Sequence, residues 1–322
     1  MMDKLEQQLQ AGLSGDFETG QRIADELELE TPDDPRAAFN RGWYELQKGN
    51  LQKGHNLLDA GRAINAYGNR HIGTGKPIWH GEEGVTVLLN LEGGLGDQIH
   101  GYRFAEHIEA RNCKVVISCG KELAPIFADR FITVAHEATD FVWFDYWLPS
   151  MSSVVALGLE YTDLSGTSYI DKTAKTIPGR IGVRWSGNPK FEHEQHRLFP
   201  KDLLFDAVRS SNCVSLQKDD DAPDWMPEVD LSTWLATRKQ ISKCELVITS
   251  CTSIAHLAAA MGIETWIIVP ILPYYLWALP GNTSPYYDSV TLFRQEKYGD
   301  WSAPFEKIKE NLQCMHMLKM AA

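Results

Sequence analysis

Several common protein classes are excluded by what this 322-residue chain has little of. Its six cysteines, at 113, 119, 213, 244, 251 and 314, form no Cys-x-x-Cys pair and no Cys/His cluster at zinc-like spacing. Most lie in or beside apolar, strand-like runs, where a reduced core thiol is the ordinary reading. No apolar run approaches the roughly 20 residues needed to span a bilayer. The longest, TWIIVPIL, has the length and β-branching of a buried strand. The opening MMDKLEQQLQ is acidic and amphipathic and lacks the apolar stretch of a signal peptide. Basic clusters are missing too: 31 Lys and Arg stand against 43 Asp and Glu, a net charge of −12, which disfavours nucleic acid as a partner. These absences fit a soluble cytoplasmic protein with no membrane span.

What is present, 43% hydrophobic and 10% aromatic residues, suffices for two or three packed units. The first 70 residues have helical character throughout: DKLEQQLQAGL, FETGQRIADELEL, RAAFNRGWYELQK and LQKGHNLLDAGRAINAY. The turns Gly15-Asp16 and Gly49-Asn50 lie 34 residues apart, the period of a tetratricopeptide repeat, with Pro32 and Pro35 between the pairs. Ala38, Gly42, Trp43, Tyr44, Leu57 and Ala60 fall where such helices interlock; a plain helical bundle with a coincident spacing is the alternative. Two repeats are few for a free-standing array, so the unit is expected to lean on the segment C-terminal to it.

After a glycine-rich connector over 68–84, strands alternate with helices: VTVLLNL, a helix from Gln98 to Arg111, KVVISC, a helical ELAPIFADRF and the apolar FVWFDYW. Residues 173–180 read as a link. Beyond them comes a second series: IGVRW, KDLLFDAVRS, CVSLQ, TWLATRKQISKC, ELVITSC, SIAHLAAAMG and TWIIVP. Near-continuous apolar strands alternating with helices imply parallel sheets covered on both faces. The fold class is therefore α/β: two Rossmann-like lobes, 80–175 and 176–322, with a cleft between them, preceded by an all-α unit over 1–70 and ending in a helix.

In open α/β sheets ligands sit beyond the carboxyl ends of strands, at helix N-termini. Three strand exits are polar. LEGGLGD places Gly94, Gly96 and Asp97 after the first strand; the glycines make a tight turn or admit a ligand, and Asp97 is an N-cap or a general base. GVRWSGNPKFEHEQHRLFP offers Arg184, Ser186, Asn188 and Arg197, whose forked donors suit phosphate, or else form a salt-bridged surface loop. VITSCTSIAHLAAAMG sets Thr252 and Ser253 at a helix start, with His256 one turn in, as an anion site or as a buried, satisfied histidine. Gln217 and Lys218 end a further strand, where a base or phosphate contact fits.

These stretches, with KPIWHGE and SPYYDSVTLFRQEKYGDW and in this order, resemble the bacterial tetratricopeptide-repeat glycosyltransferases, related to the O-GlcNAc transferase and heptosyltransferase families, from about Arg36 to Leu312. The resemblance implies a GT-B fold and a hexosyl- or heptosyltransferase needing no metal or cofactor. The C-terminal lobe would hold a nucleotide-sugar donor, and the acceptor hydroxyl could belong to a saccharide, a protein or another molecule. It implies that Asp97 is the base and that Thr252, Ser253 and His256 lie near the donor diphosphate. The chain departs from the pattern at Cys251, where the family carries aspartate, and at Tyr274–Trp277, which read YYLW in place of DWRW. Those departures keep open a non-catalytic protein that binds ligands and, through the helical repeats, other proteins. A transferase acting on modified DNA is the third reading, against which the acidic charge argues.

Overall fold

A computed structural model describes residues 3–67, 75–189 and 194–321, so part of the connector (68–74) and part of the charged loop (190–193) lie outside the described residues. Contacts divide the chain into two compact units: Met1–Gly20 with Gly166–Ser232 and Ala236–Ala322, and Gln21–Ser165 with Thr233–Leu235.

Four helices open the chain: α1 (Lys4–Ser14), α2 (Phe17–Glu30), α3 (Pro35–Gln47) and α4 (Leu51–Leu58). Gly15 (φ 80°) and Gly49 (φ 89°) adopt the left-handed conformation that closes a helix and that side chains with a Cβ resist. Gly15 N–H donates to the Gly12 carbonyl and Asp16 N–H to Ala11; Gly49 N–H donates to Leu46 and Asn50 N–H to Glu45. The same pair of helix-ending bonds thus recurs at the offset seen in the sequence. Between α3 and α4 the backbones nearly touch, since a Cβ on Gly42 would lie 2.9 Å from the Gly54 carbonyl oxygen. The helix expected over 51–67 stops being α-helical at Leu58 and tightens into a 3-10 turn, Asp59–Arg62. Gly61 is wedged under Phe39, whose ring a Cβ would meet at 2.8 Å, and Asn65 turns left-handed at φ 58°.

The Gln21–Ser165 unit also holds a parallel sheet in the order β3-β2-β1-β4. Its strands are β1 (Thr86–Asn90), β2 (Lys114–Cys119), β3 (Ile132–Ala135) and β4 (Tyr146–Pro149). Helices α5 (Leu95–Tyr102), α6 (Phe104–Glu109), α7 (Ala124–Phe127) and α8 (Ser153–Leu157) connect or follow them. The single helix expected from Gln98 begins three residues earlier, because extended Gly94 (φ −70°, ψ 177°) takes the N-cap position, and it breaks at Arg103. Strand β3 is too short, with one exposed and three half-buried residues, to announce itself by alternation. In FVWFDYW only the end is a strand; Val142 and Phe144 pack on Leu88, Val116 and Trp147 while Phe141 stays 86% and Trp143 71% exposed.

The other unit carries a second all-parallel sheet, ordered β6-β5-β7-β8-β9: β5 (Arg180–Arg184), β6 (Asn212–Ser215), β7 (Leu246–Ser250), β8 (Glu264–Val269) and β9 (Val290–Arg294). Around it run α9 (Glu194–Arg197), α10 (Lys201–Val208), α11 (Trp234–Ser242), α12 (Ser253–Ala260) and α13 (Ser302–Ala321). Strands β7 and β8 are buried almost throughout, as central strands covered on both faces must be. α10 and α13 close one face with Leu204, Val208, Phe305 and Ile308 over Ile181, Val183, Ile248 and Trp266. Among the described residues five cysteines are buried and none forms a disulfide, in keeping with core thiols; Cys314 is exposed. Among the described residues no helix is long and apolar enough to cross a membrane.

His55 in α4 is 2% exposed, with Nδ1 3.4 Å from the Met151 carbonyl oxygen. Burial holds its pKa down at about 4 against 6.5, so the folded chain keeps the ring neutral where the unfolded chain protonates it. The unfolded state binds more protons across that window, and stability falls as pH drops from about 6.5 toward 4. Between about pH 7 and pH 5 the wild type is expected to lose roughly 2 kcal/mol more than His55→Leu in urea titrations. Parallel losses in the two proteins would contradict this.

Candidate functional site

Strand order singles out two places. In the second sheet β5 lies between β6 and β7, so the chain leaves β5 to one side and comes back on the other. In the first sheet β1 lies likewise between β2 and β4. At such switch points the loops beyond the carboxyl ends diverge and leave room for a ligand. The polar exits read from the sequence sit at these points.

At the β5/β7 point Arg184 pairs in register with Thr249, and its Nη1 donates to the Leu216 carbonyl at 3.1 Å. Burial pulls this guanidinium below the usual arginine range; Asp219 opposes the shift, Arg197 adds to it and Glu194 opposes it. Beyond β7, Thr252 takes the N-cap position of α12 with extended backbone (φ −140°, ψ 175°), but its hydroxyl makes no capping bond. Its Oγ1 lies 3.4 Å from Thr249 Oγ1. Ser253 is half-buried at the first turn, and the Ser250 hydroxyl, 2% exposed, makes no protein hydrogen bond. Uncapped donors at the start of a helix attract an anion, and its dipole adds to the effect.

Other predicted residues are committed to the protein itself. Gln217, 5% exposed, accepts from Trp185 N–H (3.3 Å) and Ser186 N–H (3.1 Å) through Oε1, and its Nε2 donates to Ser186 Oγ at 2.9 Å. It ties the β6 exit to the β5 exit. His256 is 3% exposed; Nδ1 lies 3.0 Å from the Tyr287 hydroxyl and the ring stacks on Trp277 at 5.3 Å. Lys218 and Asn188 are exposed beyond their strands.

At the β1/β4 point Asp97 is half-buried in the first turn of α5, and its Oδ2 accepts the Gly94 N–H at 2.8 Å. It is therefore the third helical residue reaching back to the N-cap, and the reading of Asp97 as N-cap is corrected: that position belongs to Gly94. Gly93 (φ 76°) must be glycine twice over, since a Cβ there would also meet Asp97 Oδ2 at 2.7 Å. Gln98 links the turn to the β2 exit, with Nε2 on the Gly93 carbonyl (3.2 Å) and Oε1 on Gly120 N–H (2.7 Å). Gly94 and Gly96 belong to this turn, on a different sheet from the other residues read as diphosphate contacts.

Sequence reasoning missed Glu194. This 6%-exposed carboxylate accepts the Gly187 N–H at 2.9 Å and pairs with Arg197, whose Nη1 reaches the Cys251 carbonyl. A Cβ on Gly187 would strike the Arg197 guanidinium. The loop after β5 is thus pinned to the residue preceding the α12 N-cap. The Glu194–Arg197 spacing of three was the available signal. The departures also meet: Trp277 Nε1–H donates to Cys251 Sγ at 2.9 Å, both side chains buried. Arg294 braces the loop behind them, donating to the carbonyls of Trp277, Leu279 and Gly281. Recesses of about 600 and 530 Å³ lie elsewhere, lined by Gly281, Arg294 and Lys307 and by Trp266, Cys314 and Leu318. Neither includes a residue from the α12 start. Among the described residues no three His, Cys, Asp or Glu side chains are grouped to hold a metal ion.

Similar solved structures include the bacterial iron-containing dodecameric glycosyltransferase TibC from enterotoxigenic E. coli H10407, at 11% identity and a TM-score of 0.50, over 71% of this chain and 66% of that one. The chain thus spans slightly less than two thirds of that protein. TibC as a heptosyltransferase in complex with ADP-D-beta-D-heptose aligns over 73% of this chain and 77% of that one, again at 11% identity and 0.50. At such identity the likeness is one of fold. No family model and no curated protein sequence matches the chain.

Arg197→Met leaves Glu194 buried and charged, and is expected to cost roughly 3 kcal/mol in denaturant unfolding. Adding Glu194→Gln should recover part of that loss. Strict additivity of the two changes would mean that the pair does not act as a unit.

Proposed function

We propose that this chain is a glycosyltransferase of GT-B type that moves a sugar from a nucleoside-diphosphate donor to an acceptor hydroxyl, without a metal, and that its N-terminal helices form a tetratricopeptide-like unit. The observation that carries the reading is the α12 start. Its uncapped Thr252–Ser253 turn stands at a switch point beside Arg184 and one residue from the carbonyl held by Arg197. A diphosphate matches that arrangement, with two negative centres for a helix N-terminus and a forked guanidinium.

In this reading the first-turn N–H groups of α12 and Arg184 bind the diphosphate and take up its charge as the sugar departs. Ser186, Asn188 and Lys218 approach the rest of the nucleotide. Gln217 shapes the wall, and His256 supports the turn from behind through Tyr287 and Trp277. Gly94 and Gly96 serve the acceptor turn, where Asp97, aimed by its bond to Gly94 N–H, removes the hydroxyl proton. TibC is a glycosyltransferase of similar fold, and its complex with ADP-D-beta-D-heptose supports the donor class. A ligand-binding protein without turnover is the second reading. Its support is Cys251, whose Sγ accepts the Trp277 Nε1–H and which leaves that position of the turn without a carboxylate.

Thermal-shift and calorimetric titration with a panel of nucleoside-diphosphate sugars should reveal one stabilising donor, and EDTA should leave transfer unchanged. Asp97→Asn should keep donor binding and lower transfer by roughly 10²–10⁴-fold. Full transfer by the variant would remove Asp97 as base. Donor binding without hydrolysis or transfer to any acceptor would favour the second reading.

A further inference from the structure

One partly buried charge cluster joins the helical segment to the Asp97 turn, and the chemistry above does not use it. Arg62, on the 3-10 turn after α4, grips Glu92 with two bonds, Nε to Oε1 and Nη2 to Oε2, each 2.8 Å. Its Nη1 lies 3.1 Å from Asp59 Oδ1, and Asp59 accepts the Ser152 hydroxyl at 2.9 Å. Glu92 is 4% exposed, and its Oε2 also accepts Met151 N–H at 3.2 Å while its own N–H donates to Ser150 Oγ at 3.0 Å. The next residue is held from the same side: Gly93 N–H donates to the Tyr67 carbonyl at 3.2 Å, and the Tyr67 hydroxyl donates to the Leu58 carbonyl at 2.7 Å.

Residues 92 and 93 are therefore fastened by the helical segment, and residue 94 is fastened by Asp97 itself. Gly93, at φ 76°, has its α-carbon packed so closely on Asp97 that an added Cβ would lie 2.8 Å from the Asp97 Cβ. A drift of the backbone at 92–93 would therefore carry the carboxylate with it. A bidentate guanidinium–carboxylate pair fixes distance and orientation together, which a lysine's point charge does not. Two carboxylates share the one guanidinium here, so the pair is sensitive to its loss.

We propose that Arg62, through Glu92, is a positioning residue for Asp97, so that the end of the helical segment is part of the reaction apparatus. The inference rests on Asp97 acting as the base, and its test separates the two ideas. On the full chain, Arg62→Met should speed amide hydrogen exchange over Gly93–Gln98 about tenfold or more while distant helices keep their protection. In transfer assays with the donor found by screening, kcat should fall roughly 10- to 100-fold with donor KM within about twofold of wild type. Arg62→Lys, which keeps the charge without the fork, should recover only part of kcat. If Arg62→Met does not fold, Glu92→Gln, nearly isosteric and still able to bond Met151 and Ser150, is measured in its place. Unchanged exchange over Gly93–Gln98, or unchanged kcat in an active enzyme, overturns the proposal. Faster exchange in a chain whose wild type transfers no sugar upholds the clamp and sinks the glycosyltransferase reading instead.

Discussion

Parallel pairing of each sheet's first strand with a neighbour on either side is the constraint that governs both sheets and their exits. β1 pairs with β2 and β4, and β5 with β6 and β7, in every case parallel. A parallel neighbour can be reached only by a crossover, so the chain leaves β1 and β5 toward one edge and a later crossover, from β3 or β6, returns it on their other side. That leaves the carboxyl ends of these strands lined by loops and helix starts rather than capped by the next crossover. The glycine turn after β1 and the α12 start near β5 are what the chain puts there.

Much of the polarity at these exits holds the protein together. Gln217 ties two strand exits, Glu194 and Arg197 tie the β5 loop to the residue before α12, and Gln98 and Glu92 tie the glycine turn to the exits of β2 and β4. A buried donor or acceptor left unmatched is costly, so side chains this deep become structural before they become ligands. In the proposed reading, the groups left to a ligand at the α12 start are backbone N–H groups and the half-buried Arg184 guanidinium, a set suited to an anion that can use several donors at once. Polar side chains set that backbone in place.

How far the sequence could be read depends on the range of the interaction concerned. Central strands β7 and β8 and helix α12 stand out as apolar runs between turns, because burial on both faces leaves no room for polar residues. The paired turns at Gly15 and Gly49 show in a spacing, because a left-handed helix end strongly favours glycine. Edge strands β3 and β9 carried no such mark, nor did the tightening of α4 into a 3-10 turn, where Gly61 packs against Phe39 from elsewhere in the chain. In the sites, the strand exits were legible from polarity, but the partners of Gln217, His256 and Asp97 were not.

By itself the sequence determined the α/β alternation, the paired helix-ending turns at Gly15 and Gly49 and the positions of the polar strand exits, since each depends on local periodicity, turn chemistry or composition. Only the tertiary structure decided that Arg197 reaches the Cys251 carbonyl, that Cys251 meets Trp277, and that Arg62 reaches Glu92 across 30 residues of chain. Burial is the reason. A buried charge must find its partner wherever the fold brings one, and that partner need not be near in sequence.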